Sequence, residues 1–165
     1  ERLKAVLKDL AKQEGEIMSR LGLSVMMGML MIDDSKQSLK DSIGKKITRI
    51  EFKEAFPEND DAESFNNAIY FTFSDGSKVK LYDAGQDCCE KRFLTTDVKD
   101  FRYYVGSLFL GVEIVDAPTQ EDEYGYPHEI QFLNISTTKG VFTMTNHNIH
   151  NGYYGGFSIC FEKVD

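Results

Sequence analysis

The chain has 165 residues, 41% hydrophobic and 28% charged, with a net charge of −8. That is enough for one domain with its own core, too apolar for a disordered chain, and too acidic for ordinary binding to phosphate backbones. Cys88, Cys89 and Cys160 form an odd, sparse set that argues against a secreted disulfide scaffold, so a cytoplasmic protein is expected.

Glu1 to about Leu21 reads as an amphipathic helix, because Leu3, Val6, Leu7, Leu10, Ile17, Met18 and Leu21 recur at three- and four-residue spacings. No leader peptide is recognised at this start. The run Val25–Ile32 follows; its methionines suit an adaptable contact surface or a buried helix or strand, and it is too short to span a bilayer. Asp33–Lys45 is polar and reads as a linker or a short helix. Residues 1–41 are thus expected to be a helical N-terminal extension, and 42–165 the domain proper.

From Lys46 the period becomes two. Ile47–Phe52 is a predicted strand, and Phe56–Asn67 an acidic loop. Ala68–Ser74 and Lys78–Tyr82 are predicted strands joined by an Asp75-Gly76 hairpin turn. Thr95 or Thr96 followed by Asp97 and Asp100 predicts an N-capped helix to about Tyr104. Leu108–Val115, His128–Ser136, Val141–Thr145 and Phe157–Val164 are further predicted strands, and Asp116–Pro127 is a long acidic loop. The expected fold class is α+β: a mostly antiparallel sheet of about six or seven strands with two or three helices.

Two polar stretches carry the chemistry. Asp83-Ala-Gly-Gln-Asp-Cys-Cys-Glu90 offers thiols, carboxylates and an amide within one predicted loop. Asn146-His-Asn-Ile-His-Asn-Gly-Tyr-Tyr-Gly-Gly156 combines hydrogen-bonding side chains with glycines that let a partner approach closely. Cys88, Cys89, His147 and His150 would give a zinc ion two thiolates and two imidazoles, with His128 as a substitute ligand; the spacing has neither CxxC nor HxxxH. Ordinary packing of these residues is the plain alternative.

A Cys–His pair across the two stretches could act as nucleophile and base, with Asp87 or Glu90 orienting the imidazole. No nucleophile elbow, phosphate-cradling loop or metalloprotease helix accompanies it, so no enzyme activity is expected. Tyr82, Tyr153, Tyr154 and Phe157 could stack a base while Asn146, Asn148 and Gln86 read its edge; the same loops, with Asp83, Asp87, Glu90 and Asn151, could equally meet a protein. The acidic stretches Glu58–Glu63 and Gln120–Glu123 are solvated loops or contacts for a basic partner.

The strings Asp83–Glu90, Thr95-Thr96-Asp97, His128–Phe132 and Asn146–Phe157 resemble a small uncharacterised domain family of phages and their bacterial hosts, over roughly Ile43 to Glu162. The resemblance implies a phage setting and a stoichiometric inhibitor of a host defence system. An anti-CRISPR protein that binds a Cas nuclease is the expectation. A sponge for nucleotide signals and a Cys/His-dependent enzyme are the alternatives.

Overall fold

In the computed structural model, residues 5, 6, 8, 9, 12, 33–53 and 67–165 are described. Alternating side chains build most of it. In β2 (Ala68–Phe73), Ile69, Phe71 and Phe73 point one way; in β3 (Lys78–Asp83), Val79 and Leu81 join them. The turn between them is tight because Gly76 adopts a φ of +85° and Asp75 Oδ1 accepts the Ser77 amide at 2.9 Å. With β1 (Ile47–Lys53) and β9 (Ile159–Val164), these strands form an antiparallel sheet in the order β1-β2-β3-β9.

The second sheet is also antiparallel. Its strands are β4 (Glu90–Thr96), β5 (Phe109–Asp116), β6 (Gln120–Glu121), β7 (Pro127–Thr137) and β8 (Gly140–His150). The order is β4-β8-β7-β5, and the short β6 pairs with the start of β7. The two inner faces share one apolar core, in which Phe71, Phe73, Phe109 and Phe161 meet Leu133, Ile135 and Met144. Phe109 stacks on Phe161 at 5.6 Å and meets Phe71 edge-on at 5.5 Å. Each such side chain contributes roughly 1.5–3 kcal/mol through removal from water.

The α+β expectation is therefore corrected. The described residues are mostly β, with nine strands in two antiparallel sheets, one α-helix described over its whole span and one 3-10 turn. The helix, α1 (Asp33–Ser42), is no detached extension. Leu39 is buried in the core, and the Ser35 hydroxyl accepts the Phe161 amide at 3.0 Å, so α1 covers the outer edge of β9. The helix predicted from Thr95 to Tyr104 is also corrected. Both threonines belong to β4, and only the 3-10 turn Phe101–Tyr104 forms, capped by Asp100, whose Oδ1 accepts the Arg102 amide at 2.9 Å.

The readings of Val25–Ile32 and of the acidic stretch Glu58–Glu63 lie outside the described residues. So does that of Glu1–Leu21, apart from five helical positions (5, 6, 8, 9 and 12). No helix among the described residues is long and apolar enough to cross a membrane.

Candidate functional site

The two motif stretches are the places where the chain changes sheets. After β3 it crosses to β4 through residues 84–89, and after β8 it returns to β9 through 151–158. The crossings run side by side, because Asp83 pairs with Ile159 in one sheet and Glu90 pairs with His150 in the other. The Ala84 amide also bonds to the Ser158 carbonyl at 2.8 Å.

A buried ionic network locks this junction. Arg92 of β4 donates Nη1–H to Asp83 Oδ1 at 2.9 Å and Nη2–H to Glu90 Oε2 at 2.8 Å. Asn146 and Asn148 of β8 donate Nδ2–H to Asp83 Oδ2 at 2.9 Å and to Glu90 Oε2 at 2.5 Å. Asp83 Oδ1 further accepts the amides of Gly85 at 2.9 Å and Ser158 at 3.2 Å. Burial alone would push the Glu90 carboxyl up, but the bonds from Asn148 and Arg92 outweigh it and hold the group below its ordinary range. Gly85 is required here, since a Cβ would collide with the Arg92 guanidinium, which cannot swing away from its carboxylates.

Much of the predicted binding set is therefore internal. Asn146 and Asn148 are 0% exposed, and Asp83, Glu90 and His150 are buried. These buried side chains hold the crossings together and contribute little to the surface. Gln86 belongs to the same frame: its Oε1 accepts the Arg92 amide at 3.2 Å and its Nε2 donates to the Glu90 carbonyl.

Asn146–His150 is strand rather than loop, and this divides the predicted zinc ligands. Along β8 the side chains of Asn146, Asn148 and His150 face inward, while His147 lies on the outer face. His147 Nδ1 meets His128 Nε2 at 2.9 Å, its Nε2 meets Thr95 Oγ1 at 2.8 Å, and its ring stacks on Phe93 at 4.6 Å. Burial, and then the neighbouring His128, lower its pKa to about 4. His150 instead accepts the Gly152 amide at Nδ1, 3.0 Å away, with Glu129 Oε2 3.4 Å from its Nε2. His147 pairs with Phe93 and His150 with Glu90, and the two rings face opposite sides of β8. The described residues hold no group of three or more His, Cys, Asp or Glu arranged for a metal.

The outside of the same junction differs in character. The crossing 84–89, the crossing 151–158 and the β6–β7 tip at 122–126 share one end of the molecule, because β8 ends, and β4 and β7 begin, in register there. Four exposed tyrosines stand on it: Tyr153 at 89%, Tyr124 at 76%, Tyr126 and Tyr154. Their loops are pinned. Asp122 Oδ1 accepts the amides of Tyr124 at 2.9 Å and Tyr126 at 2.8 Å, and Asn151 Oδ1 accepts that of Tyr153 at 3.0 Å. Gly156, at a φ of +83°, donates its amide to Glu129 Oε2 at 2.7 Å and offers its carbonyl to Asn148 Nδ2 at 2.9 Å. Cys88 and Cys89 are exposed beside them, and the Cys88 thiol bonded to Tyr154 pushes that phenol's pKa up.

Arg92, Glu129, Tyr124 and Tyr126 were not singled out by the sequence. Arg92 had one available signal: an arginine two residues beyond the acidic motif, at an inward position of an alternating strand.

Residues 40–160 match the model of one family, described as a domain of unknown function, DUF7448. No curated protein and no solved structure shows significant similarity to the chain.

Proposed function

The chain belongs to the DUF7448 family, and on that premise we propose that it is a protein-binding module whose recognition surface is the crossover end. The observation that carries this is the gathering of four exposed tyrosines on loops pinned by side-chain-to-backbone hydrogen bonds from Asp122, Asn151 and Glu129. Tyrosine offers a large amphipathic contact with few rotatable bonds, so little entropy is lost when it is covered. A net charge of −8, with Asp87, Asp122 and Glu123 among these loops, favours a basic partner surface.

A nuclease with a Lys- and Arg-rich nucleic-acid channel fits that description. We propose a Cas nuclease as the partner, with the chain acting as a stoichiometric inhibitor supplied by a phage. The test mixes purified chain with a type II Cas nuclease and follows complex formation by size exclusion and DNA cleavage by gel. Inhibition at about one chain per nuclease, lost in the double variant Tyr124→Ser and Tyr153→Ser, supports the reading. Full cleavage with a molar excess of the unaltered chain sinks the Cas assignment. Binding that survives the double variant sinks the tyrosine surface.

A further inference from the structure

Cys88 and Cys89 take no part in the buried network, and they sit together for a local reason. They are the two central residues of a turn closed by the Glu90 amide donating to the Asp87 carbonyl at 3.2 Å. Neighbouring side chains diverge in a strand, but at the centre of this turn both thiols are exposed and their sulfurs lie 3.3 Å apart. The turn is also framed: Asp87 donates its amide to Glu90 Oε1 at 3.2 Å, and Gln86 Nε2 donates to the Asp87 carbonyl at 3.1 Å.

Three chemistries compete for such a pair. A direct disulfide suits it poorly, since consecutive Cα atoms are about 3.8 Å apart and disulfides prefer about 4.4–6.8 Å. A tetrahedral zinc with bonds of about 2.3 Å would hold its sulfurs about 3.8 Å apart and would need two more ligands. Among the described residues, no group of three or more metal-type ligands supplies them. Bonds of about 2.3 Å that meet near a right angle do match the observed gap. That angle belongs to a trivalent centre with a lone pair.

We propose that the Cys88–Cys89 turn is a two-sulfur chelating site for a soft, trivalent, pyramidal ion of the arsenite class. The neighbouring Cys88 thiol holds the Cys89 pKa above its ordinary value. With phenylarsine oxide as the probe, each thiol gives its proton to the oxide oxygen. Two arsenic–sulfur bonds form, the arsenic–oxygen bond breaks and one water leaves, with no change of oxidation state.

The reduced full chain is titrated with phenylarsine oxide and followed by intact-mass spectrometry, then challenged with excess 2-mercaptoethanol. One adduct per chain is expected, resisting the monothiol and released by a 1,2-dithiol. Joining two weak bonds in one chelate strengthens binding by about 10²–10⁴-fold, so Cys88→Ser and Cys89→Ser should each lose at least about 100-fold in retention. Cys160→Ser, which changes a buried thiol, should lose none. Breaking the Cys88 contact should also bring the Tyr154 phenol back toward its ordinary pKa, read by ultraviolet titration. Equal retention in the single-cysteine variants, or loss in Cys160→Ser, would overturn the site.

Discussion

The inner face of β8 divides into two halves that solve the same packing problem differently. Phe142 and Met144 close against other hydrocarbon; two residues further along, Asn146, Asn148 and His150 close against charge. Both halves are buried, so exposure does not separate them. The apolar half gains from area removed from water and tolerates small shifts. The polar half gains little net energy, because burying carboxylates costs nearly what their bonds return. What it supplies is a fixed relation between two crossings and the tyrosines above them.

The sharpest way to break this comparison is to remove the charge that closes the polar half. Asp83, Glu90 and Arg92 are all buried, and Arg92 is the cation that both carboxylates contact. Arg92→Leu leaves both carboxylates uncompensated and is expected to cost about 3–5 kcal/mol, measured by urea unfolding at pH 7. Replacing Arg92, Asp83 and Glu90 together with apolar residues of similar volume should restore most of that loss. A triple variant as unstable as Arg92→Leu would show that the network carries stability outright.

The matching change in the apolar half is Leu133→Ala. Leu133 is fully buried in the shared core, and the cavity left behind is expected to cost about 2–5 kcal/mol. The contrast lies beyond the unfolding curve. Arg92→Leu should raise amide exchange at 84–89 and 151–158, whereas Leu133→Ala should weaken the molecule without singling out those crossings.

The same contrast explains what could be read from the sequence. Ile47–Phe52, Ala68–Ser74 and Lys78–Tyr82 alternate apolar with polar residues, and all are strands within a residue or two of the expected bounds. Val141–Thr145 alternates too, and the strand continues to His150, but the expectation stopped where the inward residues became polar. Alternation reports a strand only when one face meets hydrocarbon. Here the amide nitrogens of the inward asparagines donate to Asp83 and Glu90, about sixty residues away in sequence. Thr95 and Thr96 carried a capping signal that pairing with β8 overrode. The two motif stretches were legible as partners; which side chains face in and which face out was not.

A pH series sharpens the comparison on the outer face of the same strand. The folded His147 has its pKa lowered to about 4 from 6.5, so the fold favours the neutral ring. Its contribution is fully present above pH 6.5 and declines as pH falls toward 4, because the unfolded chain binds the proton first. Glu90 acts lower. Its folded pKa is depressed, so its contribution persists above the ordinary value of 4.5 and is lost as pH falls through the folded pKa. Unfolding midpoints in urea should therefore fall in two stages, and His147→Gln should abolish the stage between pH 6.5 and 4 alone.

The smallest effect on stability is the most informative about function. Tyr153 is 89% exposed, so Tyr153→Ser removes no buried contact. The change should stay within about 0.5 kcal/mol of the unaltered protein in urea unfolding. If the crossover end is the recognition surface, the same substitution should weaken partner binding by about 2 kcal/mol or more, roughly thirtyfold in Kd by calorimetry. The two halves of β8 would then have separate roles: the apolar half keeps the molecule folded, and the polar half keeps Tyr153 where a partner can meet it. An unchanged Kd together with unchanged stability would leave the buried network holding a surface that nothing recognises. That outcome would remove the reason for placing so much charge inside the molecule.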